Sequence, residues 1–322
     1  MDATLFRAAL AAGDLIVLDG GLATQLEAQG ADLSDRLWSA RLLIEEPEAI
    51  TAAHLAFYRA GARIATTASY QATFEGFAAR GIDLASAVML LRRSVDLAVA
   101  ARGQYVEERL TAGSPPSGPL FVAASVGPYG AMLADGSEYR GRYGRSVGDL
   151  RDFHRARMDV LADTPADVLA VETIPELEEV EAVAGLLAER PNAAAWISVT
   201  CQDGRRLRSG VPVEEAVMAA AASPGVVAVG VNCTPPAFVE EIVGRMRAVT
   251  ALPIAVYPNS GEGWDAQARR WTGSPSERVD AAAAARWCAA GATLVGGCCR
   301  VTPDQIAGLS MVAASSSAPG SQ

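Results

Sequence analysis

Two adjacent cysteines near the end of the chain have the greatest potential for chemistry. They lie in the stretch "TLVGGCCRVTPDQI" as Cys298 and Cys299, in a chain with only five cysteines. Three interpretations compete: a strained vicinal disulfide, packing of two small apolar side chains, or two ligands for a soft metal. A third thiol, Cys233, follows the apolar run "VVAVGV". Three protein ligands would leave one tetrahedral position of Zn²⁺ open, which is typical of catalytic rather than structural zinc.

Eight short apolar runs recur along the 322 residues, with helical patterns between them. Most are near-continuous Val, Ile, Leu and Ala, as in parallel strands buried on both faces. They cover residues 15–18, 62–68, 120–125, 167–172, 194–199, 226–231, 252–257 and 292–297. Eight strand–helix units predict one α/β domain, a (β/α)8 TIM barrel over residues 1–312, with a flexible tail over 313–322. A doubly wound open sheet is the alternative, but no glycine-rich nucleotide fingerprint opens a helix.

Two helices near the cysteines have recognisable ends. "RVDAAAAARWCAAG" is predicted to end at Gly291, because glycine readily adopts the left-handed conformation found after helices. "TPDQIAGL" is predicted to begin at Thr302, with Pro303 in the first helical position and Gln305 reaching back to the cap. Cys288 lies within the first of these helices, beside Trp287, and is predicted to pack rather than to react.

In such a barrel, chemistry is placed at the carboxyl ends of the strands. The polar and cysteine residues that follow the eight runs are therefore candidates for a site at this rim. They are Asp19, Gly20 and Gly21; Thr67, Ser69 and Tyr70; Ser125; Glu172 and Thr173; Thr200 and Cys201; Asn232 and Cys233; Tyr257, Asn259 and Ser260; and Cys298 with Cys299. Side-chain reach across the barrel can bring Cys233, Cys298 and Cys299 to one ion, with Cys201 as a weaker candidate.

Composition limits the partners. The net charge of −10 argues against nucleic acid and anionic membrane surfaces, and leaves neutral, zwitterionic or cationic small molecules open. No apolar stretch is long enough to span a bilayer, and the N-terminus lacks the features of a signal peptide. A cytoplasmic location is therefore predicted, where cysteines favour metal binding or catalysis over a disulfide framework. The sequence does not indicate an oligomeric state.

The chain resembles the zinc-dependent homocysteine S-methyltransferase family. The resemblance runs in family order through "LDGGLATQLE", "TTASYQAT", "ASVGPYGAMLADGSEYRG", "AVETIPE", "GVNC", "YPNSGE" and "GGCCR". It is closest to the branch that uses S-methylmethionine or S-adenosylmethionine as donor. It implies Zn²⁺ on Cys233, Cys298 and Cys299, and homocysteine's amino group on Asp19 and Glu172. Thr173 stands where the betaine-using branch is expected to have tyrosine, which disfavours betaine.

The residue types suit this chemistry. Methyl transfer to a thiol needs a thiolate, which a metal can generate without a general base. The chain has only two histidines, His54 and His154, both in helical stretches and predicted to be structural or surface residues. Asp19 and Glu172 suit an ammonium group, and the amides from Gly20 to Leu22 open a helix, where a carboxylate is favoured. The alternatives are a strand-end cap or an ion pair for each carboxylate, and a tight turn alone for the glycines.

Other substrate contacts are less specific. Thr67, Ser69, Ser125, Asn232 and Asn259 are predicted to orient substrate, although the asparagines could instead cap loop backbone. The loops over residues 134–146 and 260–273 are candidates for the donor. Their aromatic residues could hold a sulfonium through cation–π attraction, or simply pack; they are Tyr139, Tyr143, Trp264 and Trp271, with Arg142 beside them. The sequence does not rank the two donors or exclude selenium analogues of the acceptor.

Two other functions fit a three-cysteine site. A zinc hydrolase would activate water, but three thiolates blunt the acidity of bound water, and histidine-rich ligation would be expected. A non-enzymatic redox or zinc-storage protein would use the vicinal pair as a switch and would have no need of the rim carboxylates.

Overall fold

A computed structural model describes residues 1–33, 39–190, 192–265, 270–274 and 278–316. The strands are β1 Ile16–Val17, β2 Ile64–Thr66, β3 Phe121–Val126, β4 Val168–Ile174, β5 Ala195–Val199, β6 Val226–Asn232, β7 Ile254–Tyr257, β8 Gly263–Asp265, β9 Arg270–Thr272 and β10 Leu294–Val295. All but β8 and β9 fall within or overlap the eight predicted runs.

Helices separate the strands. They are α1 Thr4–Ala12, α2 Leu22–Ala28, α3 Ser39–Glu45, α4 Pro47–Arg59, α5 Phe74–Ala78, α6 Leu84–Thr111, α7 Tyr129–Leu133, α8 Val147–Ala162, α9 Leu177–Ala188, α10 Val213–Ala221, α11 Pro236–Val249, α12 Ala281–Ala290 and α13 Pro303–Ser316. A single 3₁₀ turn, Ser137–Tyr139, is also formed in the described part of the loop after β3.

Eight strands form one parallel sheet in the order β1-β10-β7-β6-β5-β4-β3-β2. The two edge strands meet, because Leu18 bridges Ile64 in parallel and the Arg63 amide donates to the Val17 carbonyl at 2.7 Å. The sheet therefore closes on itself, and the predicted (β/α)8 barrel is confirmed. The β8–β9 hairpin lies outside this sheet, in the loop after β7.

The core has two layers, which explains the near-continuous apolar runs. Alternate residues such as Ile16 and Leu18 fill the barrel, while Val17 and its counterparts pack against the helices. Phe6 of α1 is fully buried among the barrel residues and lies edge-on to Phe121, with 5.2 Å between ring centroids. Since Phe121 begins β3, α1 seals the end of the barrel opposite the predicted site.

The predicted helix ends near the cysteines are confirmed. Gly291 follows α12 with a φ of 119°, and Asp280 caps its start by accepting from the Ala283 amide. The Gln305 side chain accepts from the Thr302 amide at 3.0 Å, as a reach-back cap requires. Helix α13 continues to Ser316, four residues into the predicted tail, and the rest of that tail lies outside the described residues.

Within the described ranges, no helix combines the length and apolar character needed to cross a bilayer. The 28-residue α6 is long enough but carries charged residues along its length.

Candidate metal centre and substrate pocket

Three cysteines meet at the carboxyl end of the barrel, and we call them the sulfur cluster. Cys233 follows β6, while Cys298 and Cys299 follow β10, with β7 between these strands. The Sγ atom of Cys299 lies 3.9 Å from that of Cys298 and 4.0 Å from that of Cys233. Cys233 and Cys298 are paired as a disulfide, with Cα atoms 5.8 Å apart. The vicinal pairing of Cys298 with Cys299 is therefore not the one that forms.

The donor set fits a metal ion. The three sulfur atoms lie within 4.8 Å of one another. Among the described residues, this is the one group of three or more histidine, cysteine or acidic side chains close enough together to hold a metal ion. Tetrahedral thiolates at about 2.3 Å from an ion would lie roughly 3.8 Å apart, close to the two distances made by Cys299. With the disulfide reduced, three thiolates could hold an ion and leave a fourth position open. All three cysteines line one pocket, so that position would face it.

The backbone around the cluster is tightly packed. Cys233 has a φ of 46°, a conformation that non-glycine residues rarely adopt, and its amide faces the Tyr257 carbonyl at 3.3 Å. The Cys298 amide donates to the Pro258 carbonyl at 2.8 Å. Each turn is thus fixed by the end of β7 or by the first residue after it. Such anchoring orients the thiols before any ligand binds.

Gly296 and Gly297 are needed for close approach rather than for a left-handed turn. Neither has a positive φ. A Cβ at Gly296 would lie 2.5 Å from the Leu18 Cβ, and a Cβ at Gly297 would overlap the buried Val301 side chain. The glycines therefore let the cysteine turn pack directly on β1 and on the segment leading into α13.

Gly297→Ala should destabilise the protein by about 1–3 kcal/mol, because the added methyl group must displace Val301 or the cysteine turn. Metal content should fall as well, since Cys298 is the next residue. Gly308→Ala on α13 is the matched control: a Cβ there meets nothing within 4 Å, and stability should rise by about 0.5–1 kcal/mol. Thermal unfolding and metal analysis of both variants test this; equal stability of Gly297→Ala and the wild type would contradict it.

The pocket beside the sulfur cluster, here called the rim pocket, holds about 820 Å³ of empty space, counting the part open to solvent. It is lined by Asp19, Gly20, Gly21, Leu22, Ala23, Thr66, Thr67, Tyr70, Gln71, Glu138, Tyr139, Glu172, Thr173, Cys233, Tyr257, Gly297, Cys298 and Cys299. The structure therefore brings six of the ten predicted substrate residues together with all three cysteines. The other four lie outside the lining: Ser69, Ser125, Asn232 and Asn259.

Asp19 connects the pocket to the seam of the barrel. Its Oδ2 accepts from the Thr66 amide at 2.6 Å, and its Oδ1 accepts from the Thr66 hydroxyl at 2.9 Å. The carboxyl group thus continues the pairing between β1 and β2. Burial raises the pKa of Asp19 to about 8 despite these bonds, and nearby Glu172 adds to the effect. A cation beside Asp19 would favour its charged form.

Glu172 is fixed by a hydrogen bond from β3. The Ser125 hydroxyl donates to its Oε1 at 2.5 Å, and Tyr257 lines the same pocket. Burial raises the pKa of Glu172 to about 7. Asp19 and Glu172 are therefore two fixed, desolvated carboxyl groups lining the rim pocket, and a cation binding between them would be stabilised in this low-dielectric setting.

The predicted hydroxyl residues mainly support this arrangement. The Ser69 hydroxyl donates to the Ser125 carbonyl at 2.8 Å and lies 2.7 Å from the Thr67 hydroxyl oxygen, which accepts from the Ser125 amide. Of the three, only Thr67 lines the rim pocket. Ser69 and Ser125 lie behind it, linking the ends of β2 and β3 and positioning Glu172.

Asn232 is fully buried and faces Thr173 rather than the pocket. Its Oδ1 accepts from the Thr173 amide at 2.8 Å, and its Nδ2 donates to the Thr173 hydroxyl at 2.7 Å. The same Nδ2 lies 4.0 Å from the Cys298 sulfur. This pairing holds Thr173 at a φ of 62° and places a donor behind a candidate metal ligand. Asn259 instead accepts from the Gly261 amide, as a loop cap.

The turn before α2 offers fewer free amides than expected. The Gly21 amide donates to the Val301 carbonyl at 2.9 Å, so it is already satisfied. Gly20 and Gly21 have no room for a Cβ, which would lie 2.6 Å from the Val301 oxygen and 2.7 Å from the Cys298 oxygen respectively. These glycines serve close packing against the cysteine turn.

The loop after β3 contributes more than expected. Tyr139 lines the rim pocket together with Cys299, and Arg208 lies over the Tyr139 ring, 5.6 Å from its centroid. Tyr143 packs behind the pocket against Tyr129, and Arg142 bonds to the Ser209 carbonyl. The side chains of Trp264 and Trp271 lie outside the described residues.

Sequence reasoning did not single out several residues of the lining: Thr66, Gln71 and Glu138. Glu138 is buried, and burial raises its pKa to about 7. It stands in the 3₁₀ turn, twelve positions beyond the last residue of β3, so the rule of searching at strand ends does not reach it. Its presence in the quoted motif "LADGSEYRG" was the available clue.

The remaining cysteines and histidines are structural. Cys201 is fully buried in the apolar core, and burial raises its pKa to about 12. Cys288 lies half-buried on α12. His54 and His154 are fully buried, and His154 contacts Glu179 at 2.7 Å. Burial lowers the pKa of both histidines, so neither provides a charge at the rim pocket.

Comparison with known proteins gives consistent results. The family model "Homocysteine S-methyltransferase" matches residues 16–313. A homocysteine S-methyltransferase of Escherichia coli is 49% identical over 94% of this chain and 96% of its own length. The solved structures of the E. coli homocysteine methyltransferase MmuM, metallated and oxidised, have TM-scores of 0.84 and 0.85 and identities of 46% and 47%. Both alignments cover 96% of this chain and 99% of that one.

The fold and the site together define a barrel enzyme with a three-cysteine centre at its catalytic rim. The comparisons make the class specific: this is a methyltransferase. The chain belongs to the homocysteine S-methyltransferase family.

Proposed function

We propose that this protein transfers a methyl group from a sulfonium donor, S-methylmethionine or S-adenosylmethionine, to L-homocysteine, giving methionine, with Zn²⁺ held by Cys233, Cys298 and Cys299. The observation that carries the proposal is the opening of the sulfur cluster into the same pocket as Asp19 and Glu172. A thiol-activating centre and an ammonium site then lie within the reach of one small amino acid. The metallated form of the MmuM relative supports a metal at this kind of site.

An all-thiolate donor set selects soft or borderline ions such as Zn²⁺. A bound Zn²⁺ would supply an open coordination position for the substrate sulfur and lower the pKa of that thiol, so that its proton passes to solvent and no side chain need act as a base. The protein's own residues would supply orientation. Asp19 and Glu172 would hold the homocysteine ammonium, and their hydrogen bonds to Thr66 and Ser125 would fix that group relative to the sulfur cluster.

The reaction balances without acid or base. The homocysteine sulfur forms a bond to the donor's methyl carbon, while the bond from that carbon to the donor sulfonium breaks. The electron pair of the broken bond stays on the donor sulfur, which leaves as a neutral thioether. The rim pocket suits a positively charged donor for two reasons. Its described lining contains no basic side chain that would repel a sulfonium, and it includes the aromatic rings of Tyr70 and Tyr139, which can attract one.

The proposal is tested by supplying purified, zinc-loaded protein with homocysteine and a panel of donors: S-methylmethionine, S-adenosylmethionine and betaine. Methionine should form with at least one sulfonium donor, and betaine should support far less turnover. Absence of methionine with every sulfonium donor would contradict the proposed activity. Turnover with betaine alone would contradict the proposed class of donor but not the proposed acceptor, homocysteine.

A hydrolase is less well supported. The chain's two histidines are buried away from the rim pocket, so the candidate metal ligands are sulfur alone. Three thiolates make a bound ion a poor activator of water. The fixed carboxyl groups beside the sulfur cluster likewise argue against a storage or redox role, which would not require an ammonium site.

A further inference from the structure

Two buried polar atoms of rim-pocket residues lack a hydrogen-bond partner among the described residues: the Gln71 Oε1 and one carboxyl oxygen of Glu138, Oε2. The two residues are only 5% exposed. Leaving a buried polar atom unpaired costs about 1–3 kcal/mol, and most such atoms in folded proteins are satisfied. Two on the lining of one pocket are therefore available to a ligand that binds there.

Both atoms are acceptors. The Gln71 Nε2 donates to the Ala131 carbonyl at 3.2 Å, and this bond fixes which end of the amide is the oxygen. The 3₁₀ turn places the backbone of Glu138 directly against Gly130, the residue before Ala131. A Cβ at Gly130 would lie only 2.5 Å from the Glu138 amide nitrogen. Helix α7 thus contacts both residues, through Ala131 and Gly130.

A neutral acceptor and a carboxyl group match an ammonium group, which has three donors and a positive charge. Neither an anion nor an apolar group would satisfy these two atoms. The described lining of the rim pocket contains no lysine or arginine that could fill the role from within the protein. A ligand that carries an ammonium group would therefore supply the charge and the donors that this part of the lining lacks.

The surroundings indicate which substrate brings it. Asp19 and Glu172, at the ends of β1 and β4, already provide for one ammonium. Gln71 and Glu138 stand on the separate loops after β2 and β3, next in sequence to Tyr70 and Tyr139. Tyr139 in turn lines the rim pocket together with Cys299. A ligand held by Gln71 and Glu138 would thus extend past two aromatic rings toward the sulfur cluster, as a methyl donor must.

We propose that Gln71 and Glu138 form the subsite for the α-ammonium of the sulfonium amino-acid donor. This inference rests on the proposed function and adds the donor's orientation to it. The amino-acid end of the donor binds between the two loops, and its sulfonium lies nearer the sulfur cluster. Since S-methylmethionine and S-adenosylmethionine share this α-ammonium, the subsite would serve either.

Kinetics with each substrate varied in turn provide the first test. Glu138→Gln should raise the KM for S-methylmethionine about 10- to 100-fold, and Gln71→Met about 10-fold, because each removes an acceptor from a buried charged group. The KM for homocysteine should change less than about 3-fold. Glu215→Gln is the matched control, since it makes the same substitution at an exposed carboxylate on α10, outside the rim pocket, and it should change neither constant.

A donor without the amino group provides the second test. The 3-carboxypropyl dimethylsulfonium ion is S-methylmethionine with hydrogen in place of the ammonium. The wild-type protein should transfer a methyl group from this analogue slowly. Glu138→Gln should do so at the same rate as the wild type. If Glu138→Gln loses as much activity with this donor as with S-methylmethionine, the residue does not recognise the ammonium and the proposal is overturned.

Calorimetric binding of S-methylmethionine separates this inference from the proposed function. Wild type should bind it at least about 10-fold more tightly than Glu138→Gln or Gln71→Met, whether or not turnover is seen. Equal affinity in folded variants, judged by an unchanged melting temperature, overturns the subsite even if methyl transfer is confirmed. A rise in the homocysteine KM alone also overturns it, by assigning the residues to the acceptor.

Discussion

Replacing Cys298 and Cys299 together by serine should remove the bound metal and abolish methyl transfer. Two of the three sulfur ligands would be lost, and serine hydroxyls are poor ligands for a thiolate-selective site. Zinc content should drop from about one ion per chain to below about a tenth, and kcat/KM should fall by more than about 10³-fold. Atomic absorption on dialysed protein, together with the methionine assay, measures both effects.

The control for this loss is Cys288→Ser. Cys288 is a half-buried thiol on α12, remote from the sulfur cluster, and its replacement should leave metal content and activity near wild type. Circular dichroism should show that the double variant keeps its fold, because both cysteines lie at the rim and outside the fully buried core. A double variant that retains full zinc occupancy would remove these cysteines from the metal site.

Asp19→Asn should weaken homocysteine binding while zinc is retained. Asparagine preserves the shape but cannot provide the negative charge that pairs with a buried ammonium. Loss of such a charge-assisted bond costs about 2–3 kcal/mol, so the KM for homocysteine should rise about 30- to 200-fold. Glu172→Gln should act in the same direction. The measurement is initial velocity against homocysteine at saturating donor, with zinc content determined in parallel.

Asp14→Asn is the matched control, because Asp14 is an exposed carboxylate near the opposite end of the same strand. It should leave the KM for homocysteine unchanged. Asp19 also accepts two bonds from Thr66 across the barrel seam, so melting temperatures should accompany the kinetics. Unchanged homocysteine kinetics in a stable, zinc-loaded Asp19→Asn protein would show that Asp19 lies outside the substrate site.

The positions of these residues could be predicted because, in a (β/α)8 barrel, the carboxyl ends of all eight strands lie at the same rim. Once eight buried runs are recognised, the residue after each run must lie at one rim, and Cys233, Cys298 and Cys299 must meet there. Asp19 and Glu172 follow by the same rule. The rule depends only on strand order, so it tolerates errors of one or two residues in each strand's bounds.

Side-chain direction could not be predicted in this way. Asn232 and Ser125 also stand at strand ends, but they turn toward Thr173 and Glu172 and support the pocket from behind. Which polar atom faces the ligand depends on hydrogen-bond partners from distant parts of the chain. The role of Gly297 could not be predicted either. A glycine before a turn is compatible with a left-handed backbone conformation and with close packing, and the structure shows that Gly297 packs closely on Val301.

Long loops were the other limit. Glu138 reaches the rim pocket because a 3₁₀ turn folds the loop after β3 back over the strand ends, and no apolar periodicity marks such a turn. The β8–β9 hairpin likewise arises within the loop after β7, where strands of three residues are too short to leave an alternating pattern. The proposed acceptor residues, which stand at strand ends, were therefore more predictable than the proposed donor residues.

The central claim is that the substrate sulfur completes a three-cysteine zinc site. X-ray absorption at the zinc edge, recorded on zinc-loaded protein before and after addition of homocysteine, tests it directly. The account predicts three sulfur ligands and one lighter atom in the free protein, changing to four sulfurs at about 2.3 Å when homocysteine is bound. An unchanged set of three sulfurs and one lighter atom at saturating homocysteine, in protein that still forms methionine, would contradict it.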